Sequence, residues 1–88
     1  MGMTLSERIS IKDGVVEQSN FYDYRLPRLN EVPEMHIELI QTDNHPTGAG
    51  QMATPLIAPT VSNAVMELTG VRLRHSPFTP ERVKKALA

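Results

Sequence analysis

The sequence has 88 residues, with 9 basic and 10 acidic side chains and a formal charge of -1. This length allows one compact domain at most, and the balanced charge disfavours nucleic acid as a partner. The absence of cysteine excludes disulfides and thiolate metal sites, and no apolar run approaches the roughly 18 residues of a membrane span. The first residues do not resemble a signal segment, which favours the cytoplasm, although a fragment would lack one in any case.

The first predicted element in chain order is a β-hairpin centred on the Asp-Gly dipeptide at 13–14. This dipeptide accepts the positive φ angles that a two-residue type I′ turn requires. With that turn, Lys12 faces Val15 and Ile11 faces Val16 across the hairpin.

An extended loop is predicted over residues 19–33, which hold three of the four aromatic side chains and end at the second of two prolines. Phe21, Tyr24 and Arg28 can line a pocket here. The alternative, which is the commoner role of aromatic side chains in an extended segment, is that they pin the loop to the core.

The next segment alternates apolar and polar side chains from Met35 to Leu39, which predicts a half-buried strand with His36 on the opposite face. A loop with Gly48, Gly50 and Gln51 follows it. Glycines let a backbone approach an anion or a bulky cofactor closely, but this spacing is no known phosphate-binding motif, so a plain connecting loop is the simpler interpretation.

One main helix is predicted at about 56–69, because apolar residues recur there at helical spacing and Gly70 can form its left-handed cap. A short strand is expected from Val71 to His75. Thr79 and the proline after it predict a second, short helix at about 80–87. The predicted class is therefore α+β, with a hairpin, further short strands and two helices.

Several of these pieces, taken in order, carry a resemblance. They are Asp-Gly at 13–14, Gln-Ser-Asn-Phe at 18–21, Arg-Leu-Asn-Glu-Val-Pro-Glu at 28–34, Gly-Ala-Gly at 48–50 and Pro-Leu-Ile-Ala-Pro at 55–59. Together they resemble the C-terminal end of the molybdopterin-binding large subunit of the xanthine dehydrogenase and aldehyde oxidase family. The isoquinoline 1-oxidoreductase β-subunit branch is the most similar. Residues 1–88 are then a single fragment of a molybdopterin-binding domain.

The resemblance implies a molybdenum hydroxylase, which oxidises aldehydes or N-heterocycles with the help of a glutamate in the glycine loop. Gly48 and Gly50 would approach the molybdopterin-type cofactor, and the loop with Phe21, Tyr24 and Arg28 would serve substrate access. Gln51 occupies the position of the family's catalytic glutamate, and an amide cannot accept a proton as that carboxylate does. No residue of this chain is expected to ligate the metal.

The expected partners are the remainder of the large subunit and an iron-sulfur subunit. Because the elements would each show an apolar face to missing neighbours, the isolated chain is expected to be inactive, to bind no cofactor alone, and to associate into a homo-oligomer or stay partly disordered. The alternative hypothesis is a non-catalytic interaction module that retains part of the same fold.

Overall fold

The computed structural model describes all residues from 1 to 88. Three α-helices and one two-stranded antiparallel sheet are present, which confirms the predicted α+β class. Two 3₁₀ segments lie at Leu29–Glu31 and Gln51–Leu56. The regular elements, in chain order, are α1 (Gly2–Leu5), β1 (Ile11–Lys12), β2 (Val15–Val16), α2 (Ile57–Thr69) and α3 (Pro80–Leu87).

The hairpin forms with the predicted register. Ile11 lies opposite Val16, and Lys12 lies opposite Val15. The turn residues at 13–14 have φ values of 51° and 78°, so both adopt the left-handed region that a type I′ turn needs. The predicted hairpin is therefore confirmed, and further hydrogen bonds of Ser10 with Glu17 and Gln18 close its open end.

The two predicted helices are also confirmed. In α2, Gly70 ends the helix with φ 75°, and its N–H donates to the carbonyl oxygen of Met66 at 2.9 Å. In α3, Thr79 is the N-cap and its hydroxyl oxygen accepts the N–H of Arg82 at 3.4 Å, with Pro80 in the first turn. The end of α2 and the start of α3 therefore lie at local signals.

A small core joins the two ends of the chain. Leu73 and Phe78 are each 8% exposed and form its apolar part. The Phe78 N–H donates to the Thr4 carbonyl oxygen at 2.7 Å, which attaches α1 to the segment before α3. The Ser62 hydroxyl donates to the Leu73 carbonyl oxygen at 2.6 Å, which attaches α2. We call residues 1–8 together with 57–88 the closed region.

The two short strands predicted beyond the hairpin do not form. Residues 35–39 and 71–75 have no ladder partner, and the hairpin is the only sheet. A strand needs a neighbouring strand to satisfy its N–H and C=O groups. Within this chain, neither segment has such a neighbour. The predicted alternation at 71–75 survives without a ladder, because Leu73 is buried between the exposed side chains of Arg72 and Arg74.

The remainder of the chain stays open to solvent. Every residue from 28 to 53 is exposed, and we call this stretch the open segment. The accessible surface is 8130 Å², whereas a globular protein of this mass exposes only about 5,200 Å². The radius of gyration is 16.8 Å against about 12 Å for a compact chain of this length. No helix in the structure has both the length and the hydropathy needed to cross a bilayer.

Candidate functional site

The glycine loop lies at the end of the open segment. Gly48 and Gly50 precede Gln51, which begins the 3₁₀ turn that leads into α2. All three residues are exposed, and a Cβ atom placed on either glycine would meet no other atom within 4 Å. The position of the loop at a helix entrance is thus set by α2, while nothing within the chain covers it.

The aromatic part of the predicted site forms a shallow hollow. Phe21 and Tyr24, together with Ile9, Gln18 and Asn20, line a depression of about 220 Å³. The structure therefore brings two of the three predicted access residues together, and Arg28 does not line the same hollow. The expectation that these aromatic rings pin the loop to the core is wrong for Phe21, whose ring is 76% exposed.

The turn that carries these aromatics is held by Asp23. Its carboxylate accepts the N–H groups of Ser19 and Asn20, each at 2.9 Å. These two backbone hydrogen bonds stabilise the ionised form and hold the pKa of Asp23 below its ordinary value of 3.8. The carboxylate thus serves as the local support of the loop.

Tyr24 connects this loop to the closed region. Its hydroxyl donates to Glu7 Oε2 at 2.7 Å. Loss of that hydrogen bond and repulsion from the Glu7 carboxylate oppose ionisation, so the pKa of Tyr24 lies above its ordinary 10.0. This hydrogen bond joins the hollow to the N-terminal segment, and Pro27 of the same loop also lies close to Gly2.

Two arginines lie near the end of this loop, and only one of them forms an ion pair. Arg25 forms an ion pair with Glu31, and the Arg28 N–H donates to Glu31 Oε2 at 2.8 Å. That backbone hydrogen bond is the main reason that the pKa of Glu31 is lowered, with Arg25 contributing charge. The Arg28 guanidinium makes no ion pair, so it is the cation of this loop that remains available to a ligand or partner.

The residues present do not by themselves form a site for a molybdopterin group. No cluster of three His, Cys, Asp or Glu side chains is suited to a metal ion. The hollow lined by Phe21 and Tyr24 contains none of the glycine-loop residues, and Gly48 and Gly50 have open space instead of an opposing wall. The chain presents two separate surfaces that need further protein to become one cavity.

Sequence reasoning missed two polar residues that organise this architecture. Ser62 is polar, yet it lies three positions before Val65 of the apolar stripe, and this spacing indicates the buried face of the helix. No local pattern in the sequence indicates that Glu7 accepts a hydrogen bond from Tyr24. Such long-range polar contacts depend on the tertiary structure.

No model of a known protein family matches the chain. Curated relatives do match nearly all of it. The isoquinoline 1-oxidoreductase subunit beta of Brevundimonas diminuta is 35% identical over 91% of this chain and 10% of its own length. A membrane-bound aldehyde dehydrogenase of Gluconacetobacter polyoxogenes, named for pyrroloquinoline quinone, is 34% identical over 99% of this chain and 11% of its own length. The xanthine dehydrogenase molybdenum-binding subunit of Escherichia coli O157:H7 is 30% identical over 94% of this chain and 12% of its own length.

The chain therefore corresponds to one segment of a large oxidoreductase subunit, and it spans about a tenth of the length of the curated relatives it matches. More particularly, it matches a segment of the molybdenum-binding subunits of the xanthine dehydrogenase and isoquinoline oxidoreductase family, which confirms the resemblance found in the sequence. The Escherichia coli relative is named as a molybdenum-binding subunit, and the Brevundimonas diminuta relative is named as a subunit of an oxidoreductase.

Proposed function

We propose that this chain is the C-terminal segment of a molybdenum hydroxylase large subunit and acts as one wall of its active site. The observation that carries the proposal is the open segment, in which every residue from 28 to 53 is exposed although it contains many apolar side chains. A segment of this kind gains a stable structure only against further protein.

The excess surface supports packing against the rest of a subunit. The chain exposes roughly 3,000 Å² more than a compact protein of its mass, whereas docking between folded proteins buries about 800 Å² on each partner. The surface to be covered is therefore on the scale of a domain interior. Exposed apolar side chains on both sides of the hairpin and at 35–40 belong to it.

The glycine loop is the part of the wall that would approach the cofactor. Glycine at 48 and 50 leaves the backbone accessible, because neither position has a Cβ atom. The molybdenum cofactor, when held by the remainder of the subunit, supplies the oxidation-reduction chemistry. The Gln51 amide can donate and accept a hydrogen bond beside it, but it cannot take up a proton as a glutamate base does.

The aromatic hollow would serve substrate access. Phe21 offers an exposed ring face for an aromatic or aldehyde substrate, and the unpaired Arg28 cation lies at the end of the same loop. Asp23 and Tyr24 hold the loop in place through the hydrogen bonds described above. These residues would shape the entrance, while the reaction takes place at the cofactor.

The proposal is tested by co-expression with the rest of the large subunit, encoded in the same or a neighbouring reading frame, and with an iron-sulfur subunit. We expect one complex that contains molybdenum and hydroxylates an aldehyde or N-heterocycle. We expect neither molybdenum nor activity when this segment is omitted. A genome that encodes no such remainder, or a complete enzyme that forms without this chain, would refute the proposal.

Gln51→Glu tests the position of the loop within that complex. Restoring a carboxylate base next to the cofactor is expected to raise the hydroxylation rate by about a hundredfold, the usual scale of general-base catalysis. Gln41→Glu is the matched control, because it makes the same charge change at another exposed residue. Equal effects of the two variants would place the glycine loop away from the site.

A non-catalytic interaction module is the second candidate function, and the amide at Gln51 favours it. In this function the open segment also packs against further protein, but no cofactor lies next to the glycine loop. A complex that forms with the large-subunit remainder and shows no change in activity with Gln51→Glu would support it.

A further inference from the structure

We propose that residues Met35 to Leu39 are a β-strand that adds to the edge of a sheet in the remainder of the large subunit. This inference rests on the proposed function and goes further, because it states which backbone of the chain pairs with that body and which face it buries. Within the 88 residues, this stretch belongs to no helix or sheet.

The side chains at 35–39 have the alternation of a half-buried strand. Met35, Ile37 and Leu39 fall on one face, and their exposed fractions are 67%, 82% and 83%. His36 and Glu38 fall on the other face and are also exposed. Because a one-residue shift would exchange the two faces, only one side of this strand is suited to a protein interior.

The backbone points to the same conclusion. Residues 33–47 neither donate nor accept a backbone hydrogen bond within the chain. Burying the apolar face of Ile37 and Leu39 would also remove these N–H and C=O groups from water, and each unsatisfied group would then cost free energy. Pairing with another strand satisfies the groups that face it and buries the apolar side chains at once, while the groups on the outer side of the new edge strand stay in contact with water.

The large-subunit remainder is the occupant that the structure favours. The only sheet of this chain is the hairpin, whose two-residue strands are too short to pair with a strand from 35 to 39. The curated relatives continue over roughly nine tenths of further sequence, which can supply a sheet edge. Pro33 breaks the pairing pattern just before the segment and limits the strand on that side.

Hydrogen exchange of the co-expressed complex, compared with the chain alone, tests the pairing directly. We expect the amides of residues 35–39 to exchange freely in the isolated chain and to become protected by about a hundredfold or more in the complex. Because a strand added to a sheet edge pairs on one side only, this protection should fall on every second amide, those whose N–H groups face the neighbouring strand, and the amides between them should stay less protected. A complex whose amides at 35–39 stay unprotected would overturn the strand while leaving the proposed function standing.

Two adjacent variants separate the two faces. Ile37→Asp places a charge on the apolar face and is expected to weaken the complex by at least about tenfold. His36→Asp introduces the same residue on the opposite face and should change affinity by less than about twofold. Both sites are exposed in the chain alone, so neither variant disturbs its own fold.

The outcomes distinguish this inference from its premise. Equal weakening by Ile37→Asp and His36→Asp, with protected amides, would show a two-sided contact and overturn the half-buried strand. Protection of 35–39 by self-association of the isolated chain, seen in sedimentation, would make a second copy the occupant and also overturn it. Failure to form any complex would refute the proposed function itself.

Discussion

The closed region and the open segment both contain abundant apolar side chains, yet only one of them buries any. Leu73 and Phe78 are buried in the closed region, whereas Ile37 and Leu39 in the open segment are exposed. The difference lies in the backbone. A helix pairs most of its N–H and C=O groups with each other, whereas a strand needs hydrogen-bond partners from another strand. The helices can therefore pack within these 88 residues, while the strand-like segment needs further protein.

The largest expected effect on this comparison comes from replacing a buried and an exposed phenylalanine, one at a time, by alanine. Phe78→Ala removes a buried ring and is expected to destabilise the closed region by about 3 kcal/mol. A core this small supplies only a few kcal/mol, so the cooperative urea transition followed by circular dichroism should nearly vanish. Phe21→Ala, at an exposed ring, should shift it by less than about 0.5 kcal/mol. Similar losses for both would contradict the division into two regions.

Removal of the hydroxyl that joins α2 to the core should have the next largest effect. Ser62→Ala leaves the buried Leu73 carbonyl without its 2.6 Å hydrogen bond and is expected to cost about 2 kcal/mol in urea unfolding. Thr60→Ala is the control, because Thr60 makes a comparable 2.7 Å bond to the Leu56 carbonyl in an exposed position. If the control costs as much as Ser62→Ala, the core is not where the structure places it.

A pair of glycine substitutions sharpens the comparison on a smaller scale. Gly70→Ala forces an alanine into φ 75° without any steric contact, and we expect a loss of about 1 kcal/mol from backbone strain alone. Gly48→Ala, in the open segment, also meets no atom and does not require a positive φ, so its effect should stay within about 0.5 kcal/mol. Thermal unfolding of both variants measures the difference. A larger loss at Gly48 would mean that the open segment is already packed.

The smallest expected effect is the titration of Tyr24. Its pKa is raised by the hydrogen bond to Glu7, so the stabilisation from this contact is fully present below pH 10.0 and is lost as the pH rises through the higher folded-state value. The ultraviolet difference titration between the protein and Tyr24→Phe should have a midpoint above 10.0. Glu7→Gln should move that midpoint back down. An unchanged midpoint would mean that Tyr24 does not donate a hydrogen bond to Glu7.

The sequence predicted those features of the candidate site that depend on neighbouring residues. The glycine loop follows from its local sequence, whereas residues 19–33, predicted as an extended loop, contain a turn held by Asp23 and a 3₁₀ segment at Leu29–Glu31. The sequence left two roles open for Phe21, and the exposure of its ring, which depends on which other elements are present, excludes the role of pinning the loop to the core. Helical spacing indicates that Ser62 is buried, but no periodic pattern identifies its partner Leu73 or the contact of Glu7 with Tyr24.

The sequence alone determined the hairpin, through Asp13 and Gly14, and the two helices, through Gly70 and Thr79. Each of these signals acts within one turn of backbone, where the hydrogen-bond partners are a few residues apart. Only the tertiary structure decided that Thr4 meets Phe78, and that the alternating residues 35–39 find no partner within the chain. The physical reason is that caps and tight turns are formed by neighbouring residues. Burial and strand pairing depend on surfaces that are distant in the sequence or belong to other protein.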